Sequence, residues 1–101
     1  MKGVNNMHIG FIFNKNSSLW EKEFECNKLF AKTQLMYIAD RYKVNGYIYL
    51  NSIYEQFGIV WNPHDENVCW IFERDGELEL SIIYDEKTCD KIAIDISHKS
   101  N

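Results

Sequence analysis

Between Val68 and Ile96, two runs of alternating apolar residues flank an Asp75-Gly76 pair, and this stretch constrains the fold more than any other. A two-residue Asp-Gly turn favours a β-hairpin, because both central positions must tolerate positive φ. The expected pairing sets Arg74 opposite Glu77, Phe72 opposite Glu79, Ile71 opposite Leu80, Trp70 opposite Ser81 and Cys69 opposite Ile82. Period-two alternation then gathers Cys69, Ile71, Leu78, Leu80, Ile82 and Tyr84 on one face. Trp70, Phe72 and Ile83 fall on the other face, beside Glu79 and Ser81. Asp85 to Asp90 reads as a polar loop, and Lys91 to Ile96 as a further strand with Ile92, Ile94 and Ile96 inward. Ser97 to Asn101 is expected to be a frayed tail.

Upstream, the period changes. Met7 to Phe13 is a short apolar strand, and Asn14 to Ser18 has turn chemistry, with Ser17 or Ser18 available to cap a helix. From Leu19 to about Tyr42 the spacing is helical. Trp20, Phe24, Ala31, Leu35, Ile38 and Tyr42 form one apolar seam, and Leu19, Cys26, Phe30 and Tyr37 a second. A helix lying on one sheet needs only one seam, so the second calls for another partner. A short helix of this chain or the same helix of another copy would serve, and an antiparallel pair would bring Glu23 towards Arg41. Asn45-Gly46 ends the helix, and Tyr47 to Leu50 is extended. Asn51, or Ser52 with Glu55, then opens a two-turn helix that Gly58 closes in the left-handed conformation.

The expected fold is therefore α+β. A long amphipathic helix packs on a small antiparallel sheet of three to four strands, with a short second helix before the hairpin. Residues 1–101 form a single domain at this length.

Charge is divided unevenly. Residues 1–63 carry seven basic and five acidic side chains, whereas residues 64–96 carry ten acidic ones against Arg74, Lys87 and Lys91. Phosphate binding needs clustered Lys and Arg, so direct nucleic-acid binding is not expected. An acidic face suits a basic partner, or simply keeps a sheet surface solvated. No apolar run is long enough for a membrane span. Met1 to Asn6 lacks the apolar core of a secretory signal, and a cytoplasmic location is expected. Cys26, Cys69 and Cys89 are odd in number, widely spaced and without a C-x-x-C pair, which fits three reduced thiols.

The run Tyr47 to Gly58, Y-I-Y-L-N-S-I-Y-E-Q-F-G, precedes a strand bearing Trp70 and an acidic hairpin. This arrangement resembles small phage and prophage proteins in which a Y-L-N-x-hydrophobic-hydrophobic-x-x-x-G run leads into a tryptophan-bearing strand. The resemblance covers less than half of the chain, and Asn62-Pro63-His64-Asp65 stands where those proteins have a glycine-rich link. It implies a phage or mobile-element setting and carries over no activity.

Candidate chemistry is sparse. His64-Asp65-Glu66 joins an imidazole to carboxylates, but consecutive loop residues rarely converge on one metal and no second histidine stands at helical spacing. The cysteines with His8, His64 or His98 have no local nucleophile–base signature, and Glu73, Glu77 and Glu79 read as strand-surface carboxylates rather than an acid–base pair. Nucleotide-binding glycine loops and the G-x-S-x-G elbow are absent from the sequence. No catalytic residue, metal site or cofactor is assigned.

The leading expectation is a non-catalytic protein-interaction module using Trp70, Phe72, Glu73, Glu77 and Glu79 against a basic host protein. It would act as an inhibitor of a host defence or nucleic-acid-binding protein, as a homodimer through the helix Leu19 to Tyr42. The alternative is an oligomeric protein that sequesters a nucleotide-like metabolite with Tyr47, Tyr49, Trp61, His64 and Asp65.

Overall fold

The structure, a computed structural model, describes residues 8–98. Met1 to Asn6, where a leader would lie, and residues 99–101 of the expected tail are outside the described residues. The fold is α+β, as its periodicities imply. In chain order it comprises β1 (His8–Asn14), α1 (Phe24–Asn45), β2 (Tyr47–Tyr49) and α2 (Leu50–Gln56). A 3₁₀ turn at Pro63–Asp65 follows, then β3 (Cys69–Ile71), the single turn α3 (Phe72–Asp75), β4 (Leu78–Tyr84) and β5 (Lys91–His98).

Two antiparallel sheets result. The larger has the order β1-β5-β4, and the smaller pairs β2 with β3. On the inner face of the larger sheet, register produces three apolar rows: Ile9–Ile96–Leu80, Phe11–Ile94–Ile82 and Phe13–Ile92–Tyr84. Ile92, Ile94 and Ile96 are fully buried at the middle of these rows. α1 lies over this face through Ala31, Ile38 and Tyr42, and Phe24 meets Tyr84 edge-on at 5.8 Å. Phe57, at the end of α2, completes an aromatic cluster with Phe11, Phe13 and Phe30.

The Asp75-Gly76 pair does not make the expected hairpin. β3 pairs with β2, placing Ile48 opposite Trp70, and β4 pairs with β5. A tight Asp-Gly turn needs positive φ at both residues, but here Asp75 ends a helical turn and only Gly76 is positive, at φ 74. The competing interaction is local. The buried Asp75 carboxylate accepts the Ile71 N–H at 2.9 Å and grips Arg74 through Nε at 2.9 Å and Nη2 at 2.8 Å. Arg74 Nη2 also reaches the Cys69 carbonyl, and Phe72 N–H donates to the Gly46 carbonyl. These contacts fold residues 72–75 back on β3, so Gly76 carries the chain from one sheet to the other. The hairpin turn of the larger sheet is instead the loop after Asp85, whose carboxylate accepts Lys87 N–H and whose carbonyl accepts Cys89 N–H.

The helix boundaries shift for equally local reasons. α1 begins at Phe24, not Leu19, and has no side-chain cap. Ser17 donates to the Phe57 carbonyl at 2.6 Å instead of capping α1, and the buried Asn27 side chain brackets Glu21 by accepting its N–H and donating to its carbonyl. Asn51 likewise bonds both backbone groups of Asn62 rather than capping α2. Gly58 does adopt the left-handed conformation, φ 67, and a Cβ there would come within 2.5 Å of Ser17 Oγ. No helix among the described residues is long and apolar enough to cross a membrane.

Burial by itself would raise the Asp75 carboxyl, but the hydrogen bonds from Arg74 and Ile71, and the charges of Arg74 and His98, outweigh it and hold the group below the ordinary range. A carboxyl depressed on folding contributes stability above its unfolded pKa, about 3.9. That contribution is lost as pH falls through the lower folded value. The chain should therefore weaken below about pH 4. Asp75→Asn should cost about 2 kcal/mol at neutral pH and remove this part of the acid limb. Denaturant titrations of both proteins from about pH 2 to pH 7 measure the effect; equal stability at pH 7 would show that the carboxylate does not hold the β3–α3 turn.

Candidate functional site

The smaller sheet builds the most distinctive surface. Three-residue strands alternate sides, so Ile48 and Trp70 point into the core while Tyr47, Tyr49, Cys69 and Ile71 point out. The register sets Tyr47 beside Ile71 and Tyr49 beside Cys69. The two tyrosine rings meet edge-on at 5.8 Å. Together with Gly46 these four side chains line an open depression of about 240 Å³. Phe72, next in the chain, is 43% exposed and rests one edge on Tyr42 at 5.8 Å. A neighbouring groove of about 210 Å³ runs past Phe72, Tyr42, Lys43 and Glu77. Exposed Glu73 projects from the same helical turn as Phe72.

Tyr42 anchors this corner from below. Its hydroxyl donates to the Gly76 carbonyl at 2.6 Å. Burial, reinforced by the Asp75 charge, pushes its pKa up to about 12, so it remains a neutral donor at physiological pH. Arg74 is held by Asp75, whose hydrogen bond raises the guanidinium pKa further. Arg74 is therefore engaged, and the margin around Phe72 carries exposed Glu73 together with Lys43 and Glu77 of the neighbouring groove.

The residues proposed from sequence fall in four places. Phe72, Glu73 and Glu77 gather around α3, close to Tyr47 and Tyr49, although the two sets belonged to competing readings. Glu79 lies elsewhere, on the outer face of β4, where it lines a shallow depression with His8, Ser81, Asp95 and Ser97. Trp70 corrects the expectation outright: it is 0% exposed and cannot serve as a surface anchor in this fold. The parity argument assigned it to the wrong side because it assumed β3 paired with β4.

Trp61, His64 and Asp65 do not line the Tyr47–Tyr49 depression. Trp61 and His64 are exposed on the loop around the 3₁₀ turn, His64 N–H bonding Asn62 Oδ1. Asp65 accepts the Tyr54 hydroxyl at 3.4 Å; burial, then the Asp65 charge and hydrogen bond, raises the Tyr54 pKa. Among the described residues, no three His, Cys, Asp or Glu side chains are grouped to hold a metal ion. Cys26, Cys69 and Cys89 are free thiols. Sequence reasoning missed Ile71 and Cys69 as surface residues, and only a knowledge of the β2–β3 pairing could have found them.

Trp70→Ala should lower stability by about 3–5 kcal/mol, as removal of a fully buried indole does. Urea denaturation measures this, and a loss below about 1 kcal/mol would mean that the ring does not belong to the core.

The chain matches no family model, no curated protein and no solved structure.

Proposed function

We propose that this chain is a non-catalytic protein-binding module whose partner docks an apolar segment carrying Lys or Arg across the outer face of β2–β3 and α3. The observation that supports the reading is the exposure of Tyr47, Tyr49 and Ile71 on the β2–β3 face and of Phe72 and Glu73 on the α3 turn that follows it. Aromatic and branched side chains lose little freedom on binding and supply most of the energy of small interfaces, whereas charge at the margin chiefly guides encounter. The tyrosine hydroxyls add hydrogen-bonding tips to an otherwise apolar surface.

The wider charge pattern agrees. Of the three basic residues between His64 and Ile96, Arg74 is engaged by Asp75, while acids such as Glu66, Glu73, Glu79 and Asp90 remain exposed. A field of this sign speeds the approach of a basic protein and discourages nucleic acid. The phage or mobile-element setting implied by the Tyr47–Gly58 run makes a host protein the natural partner. Inhibition of a host defence or nucleic-acid-binding protein fits a surface that presents carboxylates where phosphates would otherwise lie.

Retention from host lysate by the wild-type protein, compared with Tyr49→Ala/Phe72→Ala, tests the proposal. A specific partner should be lost by about tenfold or more with the double variant, each truncated anchor costing about 1–2 kcal/mol, while the melting temperature stays close to that of the wild type. With the purified partner, Glu73→Lys should slow association and flatten its salt dependence. Equal retention by both proteins would count against this surface. Native mass spectrometry showing a small molecule released by Trp61→Ala would favour metabolite sequestration instead.

A further inference from the structure

α1 carries a second apolar face that nothing among the described residues covers. Its inner side, through Ala31, Ile38 and Tyr42, is buried. On the opposite side Leu29 and Met36 are each 68% exposed, Tyr37 56% and Val44 82%. At ~100° per residue these four fall in one stripe with Thr33, and the exposed Asp40 interrupts it between Met36 and Val44, so its apolar centre is Leu29, Met36 and Tyr37. A solvated helix face ordinarily presents charged and polar side chains there. The seam expected from sequence, Leu19, Cys26, Phe30 and Tyr37, is divided by the fold. Phe30 packs on Phe13 and Phe57, Cys26 and Tyr37 remain exposed, and Leu29, Met36 and Val44 take the larger share of the open stripe.

The flanks of this stripe are charged in a definite order. One flank has Glu25 in the first turn and Lys43 in the last. The other has Glu23 at the N-cap and Arg41 near the C-terminal end. Each flank is thus acidic at its start and basic at its end. Parallel copies would set like charges side by side, whereas antiparallel copies set opposite charges together. Neither Glu23 nor Arg41 has an ion-pair partner among the described residues.

We propose that α1 is a self-association helix, with two copies of this chain pairing antiparallel through Leu29, Met36 and Tyr37 and with Thr33 at the two-fold axis. In that register Leu29 of one copy sits against Met36 and Tyr37 of the other, twice by symmetry, and Glu23 faces Arg41 across one flank. Glu25 faces Lys43 across the other flank while keeping its 2.8 Å contact to Lys28 in the same chain. The arrangement is isologous and closes on itself, so it makes a dimer and no larger array. A 22-residue helix is about 33 Å long and offers fewer residues than the ~20–30 per side of a standard interface. Association should therefore be reversible, with a dissociation constant of micromolar order. The stripe faces away from Tyr42, which supports Phe72, so pairing and partner binding can fail independently.

Sedimentation velocity of the full chain from about 5 to 500 µM should show the 12.0 kDa monomer giving way to a dimer. Leu29→Glu/Met36→Glu should weaken pairing by at least about tenfold with unchanged circular dichroism and melting temperature. Glu23→Arg and Arg41→Glu should each weaken it several-fold, and their combination should restore it. In a Cys26→Ser/Cys69→Ser/Cys89→Ser background, Thr33→Cys should form a covalent dimer under mild oxidation. A monomer throughout the concentration range overturns the proposal, including the case in which the stripe captures a different protein. So does a dimer indifferent to the Leu29→Glu/Met36→Glu change.

Discussion

Burial of three isoleucines on β5 organises the molecule. Ile92, Ile94 and Ile96 lie between β1 and β4, and each sits at the centre of an apolar row running across all three strands. With an apolar side chain from a neighbouring strand on either side and α1 above, they have no solvent-facing surface. Fully burying one such side chain is worth roughly 1.5–3 kcal/mol before entropy is charged against it. Displacing β5 would unpair both neighbours, because β1 and β4 make no contact with each other in the sheet order. The outer face obeys the same register with different chemistry. Gly10 opposes Asp95 there, and a Cβ at Gly10 would come within 2.9 Å of the carboxylate.

Much of this was legible in the residues. The inward parity of β4 and β5 followed directly from alternation, since both are long enough for period two to be unmistakable. The helical period between Phe24 and Tyr42 was equally plain. What alternation cannot supply is the identity of a strand's partner. Cys69 to Ile71 is only three residues long, and its inner side is decided by Ile48 across the ladder rather than by its own pattern. Trp70 therefore went to the wrong face. The Asp-Gly signal failed for a related reason: its statistical meaning assumes a free aspartate, and this one is engaged by Arg74 and the Ile71 amide. Ser17 and Asn51 show the same limit. Both look like helix caps, yet each is used to tie a loop to a distant carbonyl or amide.

The candidate surface was half legible. Phe72 and Glu73 were identified with one role, and Tyr47 and Tyr49 with another, because the two segments stand more than twenty residues apart. The ladder between β2 and β3 brings Tyr47 and Tyr49 against the strand that leads into α3, and α3 turns Phe72 onto Tyr42 in the neighbouring groove. Charge reading contributed the sign of the surface, but pairing within the chain refined it. Arg74 is engaged by Asp75, and Lys28 reaches across from α1 to Glu86 at 3.4 Å while its ammonium lies over the Tyr84 ring at 4.9 Å. Each of these cations is drawn to a particular carboxylate, which leaves the net charge unchanged but fixes where it is cancelled.

The strand order also dictates a timetable. His8 pairs with Ser97, so the first described strand to leave the ribosome bonds to the last. At ~5–20 residues per second, β1 waits roughly 4–16 s for its partner. During that interval Phe11 and Phe13 have no sheet to enter, although α1, β2 and α2 can already form. Such distant closure is slow because the loop entropy is spent before any contact rewards it. Whatever shields β1 in the nascent chain, whether transient packing on α1 and α2 or a chaperone, is therefore as much a requirement of this topology as the isoleucines that finally receive it.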